Sequence, residues 1–292
     1  KMKRIGFIGL GVMGSNITNH LLNNFDCINI VSRNSYRTKK FIKANKNNKK
    51  LNICNSISEL ANESNIIISC VGNDNDLKKI YMSRNSVFDN ISNGSIIIDH
   101  TTASASYSKV LYKNFLQKNS YFFDAPVSGG EIGSLKGTLS IMLGGNSKKK
   151  ALVKKISGCY SKSIVYMGKS GNGQLTKMVN QICVSSVIQG IAEGLFFAKK
   201  KKLDISSLLN VIANGAGQSW QFDNRAETMW KNKFNFGFMN KHMLKDLKLV
   251  LEESKKSQIN LPVTKIIKGF YTILVRNGFS KEDTSNLIRL LK

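Results

Sequence analysis

The stretch Arg4-Ile5-Gly6-Phe7-Ile8-Gly9-Leu10-Gly11-Val12-Met13-Gly14 sets an apolar run directly ahead of three glycines spaced G-x-G-x-x-G. The spacing alone is common. Its place, after a strand-like run and before Val12–Asn23, which reads as a helix, makes it a phosphate-binding turn. Gly9 permits the tight turn, Gly11 lets backbone approach a pyrophosphate, and Gly14 lets helix and strand pack closely. The free N–H groups of the helix start, at Val12 and Met13, meet phosphate with the positive end of the helix dipole. Gly9, Gly11, Val12, Met13 and Gly14 are therefore the expected contacts of a dinucleotide.

Outward from this turn, short apolar runs alternate with polar stretches of helical length as far as residue 166. Arg4–Ile8, Cys27–Val31, Ile66–Val71, Ser95–Asp99 and Tyr121–Asp124 read as buried strands. Val12–Asn23, Ser35–Asn45, Ser56–Asn62 and Ala105–Lys118 read as helices between them. Strand alternating with helix means βαβ units on a parallel sheet. After Gly173 the strands stop. Gln174–Lys202 is a long proline-free periodic segment, followed by helical stretches at Ile205–Asn214, Asn240–Ser257, Val263–Arg276 and Thr284–Leu290. The expected architecture is a doubly wound, mainly parallel α/β Rossmann domain over residues 1–167, then an all-α domain over residues 168–292. There is no internal repeat, and Asn45–Lys50 reads as a solvated loop.

The choice of dinucleotide turns on the end of the second strand. An acid there holds the ribose 2′-hydroxyl of NAD. The chain instead reads Ile30-Val31-Ser32-Arg33-Asn34-Ser35, with no carboxylate and one arginine. A guanidinium suits a 2′-phosphate, so NADP(H) is favoured and NAD(H) stays possible; a plain surface arginine is the competing reading. Arginine is scarce in this chain, with 7 against 37 lysines.

The charge is unusual. Lys and Arg total 44 against 18 acids, a net +26 with an isoelectric point near 9.9. Basic surface attracts nucleic acid. Lysine together with 32 asparagines and abundant isoleucine is equally what an A/T-biased coding sequence supplies. The densest runs, Lys148–Lys150 and Lys199–Lys202, carry no base-stacking pattern of aromatics, so specific nucleic-acid binding is not expected. With 41% hydrophobic residues and a mean hydropathy of −0.18 there is ample core, and no apolar run approaches the roughly 20 residues of a membrane span. The N-terminal Lys-Met-Lys-Arg passes into an apolar run too short for a signal peptide. Five scattered cysteines, with no CxxC and no nearby histidine cluster, point to reduced thiols in a cytoplasm and to no metal site.

Two further stretches carry chemistry. Asp124-Ala125-Pro126-Val127-Ser128-Gly129-Gly130 holds one of two prolines and follows a strand, where open α/β sheets bind ligands. The Ser128 hydroxyl and the N–H groups of Gly129 and Gly130 suit a carboxylate. Downstream, Gly171-Asn172-Gly173-Gln174-Leu175-Thr176-Lys177-Met178-Val179-Asn180-Gln181 opens the long helix and puts Lys177, Asn180 and Gln181 on one face. Met178, Val179 and Ile182 flank Lys177, and a partly desolvated amine gains and loses its proton nearer neutrality.

Together these motifs, with Asp99-His100-Thr101-Thr102 and Lys245-Asp246-Leu247, resemble the β-hydroxyacid dehydrogenase family over essentially the whole chain. Its members include 3-hydroxyisobutyrate dehydrogenases, tartronate semialdehyde reductases and glyoxylate/succinic semialdehyde reductases. The resemblance implies a Rossmann domain, and a helical domain of the 6-phosphogluconate dehydrogenase kind whose long first helix helps form a homodimer or homotetramer. It implies hydride transfer between NAD(P) and a small 3-hydroxy acid or semialdehyde carboxylate, with Lys177 as catalytic lysine and Asn180 beside it. Thr102, Ser128, Gly129, Gly130, Phe238 and Asp246 match substrate positions. Val71, Thr102 and Lys245 match cofactor positions. Gln181 stands where some members have asparagine. Trp220 reads equally as a pocket wall or a packing residue. Two alternatives stay open: an NAD-dependent 3-hydroxyisobutyrate or L-serine dehydrogenase, and a non-enzymatic, dinucleotide-bound regulator or nucleic-acid-binding protein using the basic surface.

Overall fold

The computed structural model describes residues 4–33 and 35–291. Lys1–Lys3, read above as part of a start unlike a signal peptide, and Asn34, in the stretch beyond Arg33, lie outside the described residues. The chain divides into two compact units, residues 1–177 and 178–292.

In chain order the first unit runs β1 (Ile5–Ile8), α1 (Val12–Asn24), β2 (Ile28–Val31), α2 (Ser35–Ala44), β3 (Leu51–Ile53), α3 (Ile57–Asn62) and β4 (Ile66–Ser69). It continues with α4 (Asp74–Met82), α5 (Val87–Asn90), β5 (Ile96–Asp99), α6 (Ala105–Gln117), β6 (Tyr121–Asp124), β7 (Val127–Ser128) and α7 (Gly130–Lys136). Then come β8 (Leu139–Gly145), α8 (Lys150–Ser157), β9 (Ser161–Gly168) and the start of α9 (Asn172–Lys200). The sheet order is β3-β2-β1-β4-β5-β6-β8-β7, with β9 on β8. The pairings β3-β2-β1-β4-β5-β6 are all parallel; β8 meets β6 and β7 antiparallel and β9 parallel. The sheet is therefore the mainly parallel, doubly wound sheet expected.

Both faces of the sheet are covered, which is why its strands are continuous apolar runs. Ile5, Phe7, Ile66, Ile68, Ile96 and Ile98 pack on one side with Ile17 and Leu21 of α1 and Val153 and Ile156 of α8. Ile8, Ile67 and Ile97 face the other way, onto Leu60, Leu77, Leu111 and Phe115. Strand order reverses between β1 and β4, and the crevice outside their carboxyl ends is where such a sheet takes ligands.

Several elements escaped the sequence reading: β3, β7, β8, β9, α4, α5, α7, α8 and, in the second unit, α11 (Trp220–Trp230). The β8 run Leu139-Ser-Ile-Met-Leu-Gly-Gly ends in two glycines and reads as a turn until its partners are known. The second unit holds the rest of α9, then α10 (Ile205–Ala213), α11, α12 (Asn240–Lys256) and α13 (Pro262–Arg276). Thr284–Leu290 is a 3₁₀ helix, tighter than the α-helix its apolar residues suggested. Its core gathers Ile188 and Leu195 of α9 with Met229, Leu247, Tyr271 and Leu274.

Helix α9 bears on the membrane reading. Among the described residues it is one helix long and apolar enough, by length and composition, to cross a membrane. Asn180, Gln181 and Gln189 interrupt its apolar residues along the chain, so no unbroken apolar run of that length marks it in the sequence. Ile188, Ile191 and Leu195 are buried in the second unit's core, as in the core helix of a globular protein.

Candidate active site

At the end of β1 the chain turns with Gly9 at φ +103°, and a Cβ there would strike the Cys70 carbonyl at the end of β4. A Cβ on Gly14 would run into the Gly9 carbonyl oxygen, so α1 can lie on β1 only with glycine at this position. Gly11 is the N-cap of α1, and no side chain caps the helix there. Among the described residues, nothing but the Arg37 guanidinium comes within 4 Å of the place a Gly11 Cβ would fill. An uncapped helix start above an open glycine, with Val12 exposed and Met13 partly so, fits a pyrophosphate.

Arg33 follows β2, is largely exposed, and pairs through Nη1 with Asp76 Oδ1 at 2.7 Å. Asp76 also accepts the Gly72 N–H at 3.1 Å, which ties Arg33 to the loop after β4. The Val71 N–H in that loop donates to Thr101 Oγ1 at 3.0 Å. Two residues of this edge were absent from the sequence reading. Arg37, one helical turn from Arg33 and also among the seven arginines, leans toward Gly11. Asp76 is the carboxylate that pairs with Arg33 after β2; no local pattern marks it.

A belt of buried polar groups crosses the carboxyl ends of β4, β5 and β6. Asp99 Oδ1 accepts from Ser69 Oγ at 2.7 Å and from the Thr101 N–H at 3.1 Å, and Tyr81 donates to Ser69 Oγ at 2.6 Å. Burial pushes the Asp99 carboxyl up to about 7, against those hydrogen bonds. His100 donates from Nδ1 to the Ala125 carbonyl at 2.7 Å, and its Nε2 lies 3.0 Å from the Tyr160 hydroxyl. Burial brings its imidazole down to about 4, so it is neutral at physiological pH. Asp124, in register with Asp99, accepts the Gly171 N–H at 2.8 Å, the Gln174 N–H at 3.1 Å and the Ser170 hydroxyl at 3.2 Å. Desolvation raises its carboxyl while these bonds hold it down. Asp124 thus caps the start of α9.

Beyond Asp124, Ser128 ends β7, and Gly129 (φ +125°) and Gly130 (φ +60°) turn the chain into α7. Both glycines are exposed, and a Cβ on Gly130 would meet nothing within 4 Å. Thr102 is half-buried after β5, and Lys177 lies in the second turn of α9 with 7% of its surface exposed.

In the second unit α9 and α12 place four polar residues in a chain. Asn180 Nδ2 donates to Gln181 Oε1 at 2.8 Å, and Gln181 Nε2 donates to Asp246 Oδ2 at 2.6 Å. The other Asp246 oxygen lies 3.1 Å from Lys245 Nζ. Gln181 therefore orients Asn180, and Lys245 is engaged by its neighbour. The Phe238 N–H donates to Asp283 Oδ2 at 2.9 Å, and Asp283 is held by buried Arg225 at 3.0 Å. Trp220 lies with its ring 5.4 Å from that guanidinium and is half-exposed.

Fold and site define a two-part dinucleotide-binding oxidoreductase. Residues 4–168 match the NAD-binding domain of 6-phosphogluconate dehydrogenase, and residues 171–291 match the NAD-binding domain of NADP-dependent 3-hydroxyisobutyrate dehydrogenase. The chain belongs to the β-hydroxyacid dehydrogenase family, NAD(P)-dependent enzymes that act on the hydroxyl group of hydroxy acids. It is 37% identical over 291 residues to an uncharacterised oxidoreductase of Shewanella frigidimarina, covering 100% of this chain and 99% of that protein. It is 29% identical to the 2-hydroxy-3-oxopropionate reductase of Escherichia coli, covering 99% and 97% of the two chains. The fold is that of the 3-hydroxyisobutyrate dehydrogenase of Mycobacterium tuberculosis solved with L-serine, with a TM-score of 0.89, 22% identity and 100% coverage of both chains.

Proposed function

We propose that this chain is a semialdehyde reductase that prefers NADPH and interconverts a small 3-hydroxy acid and its semialdehyde carboxylate. The observation that carries the reading is Lys177, a lysine only 7% exposed on α9 within the segment that resembles the family's catalytic one. When bound, the nicotinamide supplies or accepts the hydride at its C4. As negative charge grows on the substrate oxygen, Lys177 Nζ stabilises it and delivers a proton; in oxidation the neutral amine takes the hydroxyl proton. The Ser128 hydroxyl and the N–H groups of Gly129 and Gly130 hold the substrate carboxylate, which fixes the carbonyl. Asn180, steadied by Gln181, orients the polar groups around the reacting oxygen, and Thr102, Phe238 and Asp246 serve the substrate by resemblance.

For the cofactor, Gly9, Gly11, Val12, Met13 and Gly14 cradle the pyrophosphate, while Val71, Thr102 and Lys245 serve as further contacts. Arg33 is the 2′-phosphate partner, supported by Arg37 beside Gly11. The domains are residues 1–167 and 168–292. A largely apolar stripe on α9 with exposed Val179, Cys183, Val187, Gly190 and Phe197 suits a homodimer or homotetramer. Free cysteines suit a cytoplasmic setting.

The test is cofactor oxidation by the purified protein. NADPH and NADH are each offered with glyoxylate, succinic semialdehyde, tartronate semialdehyde and methylmalonate semialdehyde, and serine and 3-hydroxyisobutyrate are run in reverse. NADPH-dependent reduction that disappears in Lys177→Ala is expected. Turnover only in reverse with NAD would replace the reductase reading with the dehydrogenase one. Silence in protein that still binds a dinucleotide would overturn the enzymatic assignment.

A further inference from the structure

Gln174 sits in the first turn of α9 with 1% of its surface exposed. Its carboxamide makes two hydrogen bonds on either side of one residue. The Ala103 N–H donates to Gln174 Oε1 at 3.1 Å, and Gln174 Nε2 donates to the Thr101 carbonyl at 2.7 Å. Thr102 is the residue between. We propose that Gln174 is a positioning residue, a clamp that sets the Thr102 loop at a fixed distance from Lys177, three residues further along the same helix.

The surroundings make this clamp rigid. The Gln174 backbone N–H is itself taken by Asp124, so the helix start is anchored to β6 as well as to the loop after β5. Thr101 is tied through its N–H to Asp99 and through its hydroxyl to the Val71 N–H, which extends the anchor to β4. At the adjacent Gly173 a Cβ would lie 2.5 Å from the Met142 carbonyl and 2.6 Å from the Asp124 carbonyl, so α9 has no room to slide. Asparagine is a methylene too short to span the two peptide groups. A hydrophobic residue leaves a buried N–H and a buried carbonyl without partners. Placement of this kind matters kinetically, because a displacement of about 1 Å at a reacting group costs on the order of 100-fold in rate.

The inference rests on the roles given above to Thr102 and Lys177, so its test separates the clamp from the chemistry. Gln174→Met and Gln174→Glu are made in the full-length protein. In cofactor-free protein, backbone hydrogen exchange is followed over residues 101–103. Faster exchange there in Gln174→Met than in wild type is expected of the clamp, and unchanged exchange overturns it. Kinetically, Gln174→Met should keep its NADPH dissociation constant within about threefold and lose about 100-fold in kcat, with a larger isotope effect from C4-deuterated cofactor.

Gln174→Glu supplies the rescue. A protonated carboxyl accepts from Ala103 and donates to the Thr101 carbonyl; an ionised one cannot donate. Asp99 and Asp124, from β5 and β6, favour its protonated form, whereas Lys177 opposes it and His100 is neutral. The ratio of its kcat to wild type should therefore rise as pH falls from about 9 to about 6. Wild-type kcat in Gln174→Met, or a Gln174→Glu variant no better than Gln174→Met at every pH, overturns the inference. Full activity in Lys177→Ala would defeat the assignment of Lys177, and the exchange of residues 101–103 would then decide the clamp by itself.

Discussion

Gln181 of α9 donates to the carboxylate of Asp246 on α12 at 2.6 Å, and both side chains are almost wholly buried. The length of the glutamine side chain lets its amide reach the acid while its oxygen still accepts from Asn180. Gln181→Leu should destabilise the protein by about 1–3 kcal/mol, because a buried carboxylate loses a charge-assisted partner. In urea unfolding, the Gln181→Leu/Asp246→Leu double variant should lose less than the sum of the two single ones. Strict additivity would mean that the hydrogen bond contributes nothing.

At the cofactor edge the sequence names Arg33, and the structure pairs it with Asp76. A charge-assisted hydrogen bond to phosphate contributes about 1.5–3 kcal/mol. Arg33→Ala should therefore weaken NADPH binding by about 10- to 100-fold and leave NADH within about threefold. Asp76→Asn frees the guanidinium of its competitor and should shift the preference further toward NADPH. Fluorescence titration with both cofactors checks each. Equal losses for NADPH and NADH in Arg33→Ala would show that Arg33 does not read the 2′-phosphate.

What could be read beforehand was local. Gly9, Gly11 and Gly14 are legible because their constraints lie within one turn of chain: a positive φ, an open approach, a helix against its own strand. Lys177 and Asn180 are legible because one helix fixes their spacing. Gln174 was not, since the bond that gives it meaning joins it to Thr101, 73 residues away. Asp76 and Arg37 escaped for the same reason. Strands β8 and β9 were missed because a parallel pair read without its partner shows only short apolar runs broken by serine and glycine.

The buried belt predicts opposed pH dependences of stability. Asp99, pushed up to about 7, keeps its proton in the fold at pH values where the unfolded chain has released it. Its contribution therefore weakens as pH rises from about 4 to about 7. His100, held down to about 4, stays neutral in the fold while the unfolded imidazole binds a proton below about 6.5. Its contribution is lost as pH falls from about 6.5 to about 4. Each group carries roughly 3–4 kcal/mol across its window, so in wild type the two largely offset. Asp99→Asn should lose stability more steeply than wild type as pH falls toward 4.5, and His100→Gln should lose less or gain. Urea midpoints at pH 4.5 and pH 7 decide it; a pH-dependent loss that departs from the wild-type loss in the same direction in both variants would refute this account.

Lys177 gives the decisive kinetic comparison. Lys177→Met preserves the length and apolar stem of a side chain that is nine-tenths buried, so the fold and the dinucleotide cradle are kept. What it removes is the amine. Turnover should fall by about 10²- to 10⁴-fold, the range for losing a positioned general acid–base, while the NADPH dissociation constant stays within about threefold. Lys177→Arg keeps the charge but cannot release a proton near neutrality, so it should sustain little more turnover in the oxidative direction. The wild-type kcat profile should carry a limb that belongs to Lys177. That limb should vanish in Lys177→Met. A variant that keeps both the limb and most of its turnover would move the proton transfer to another group.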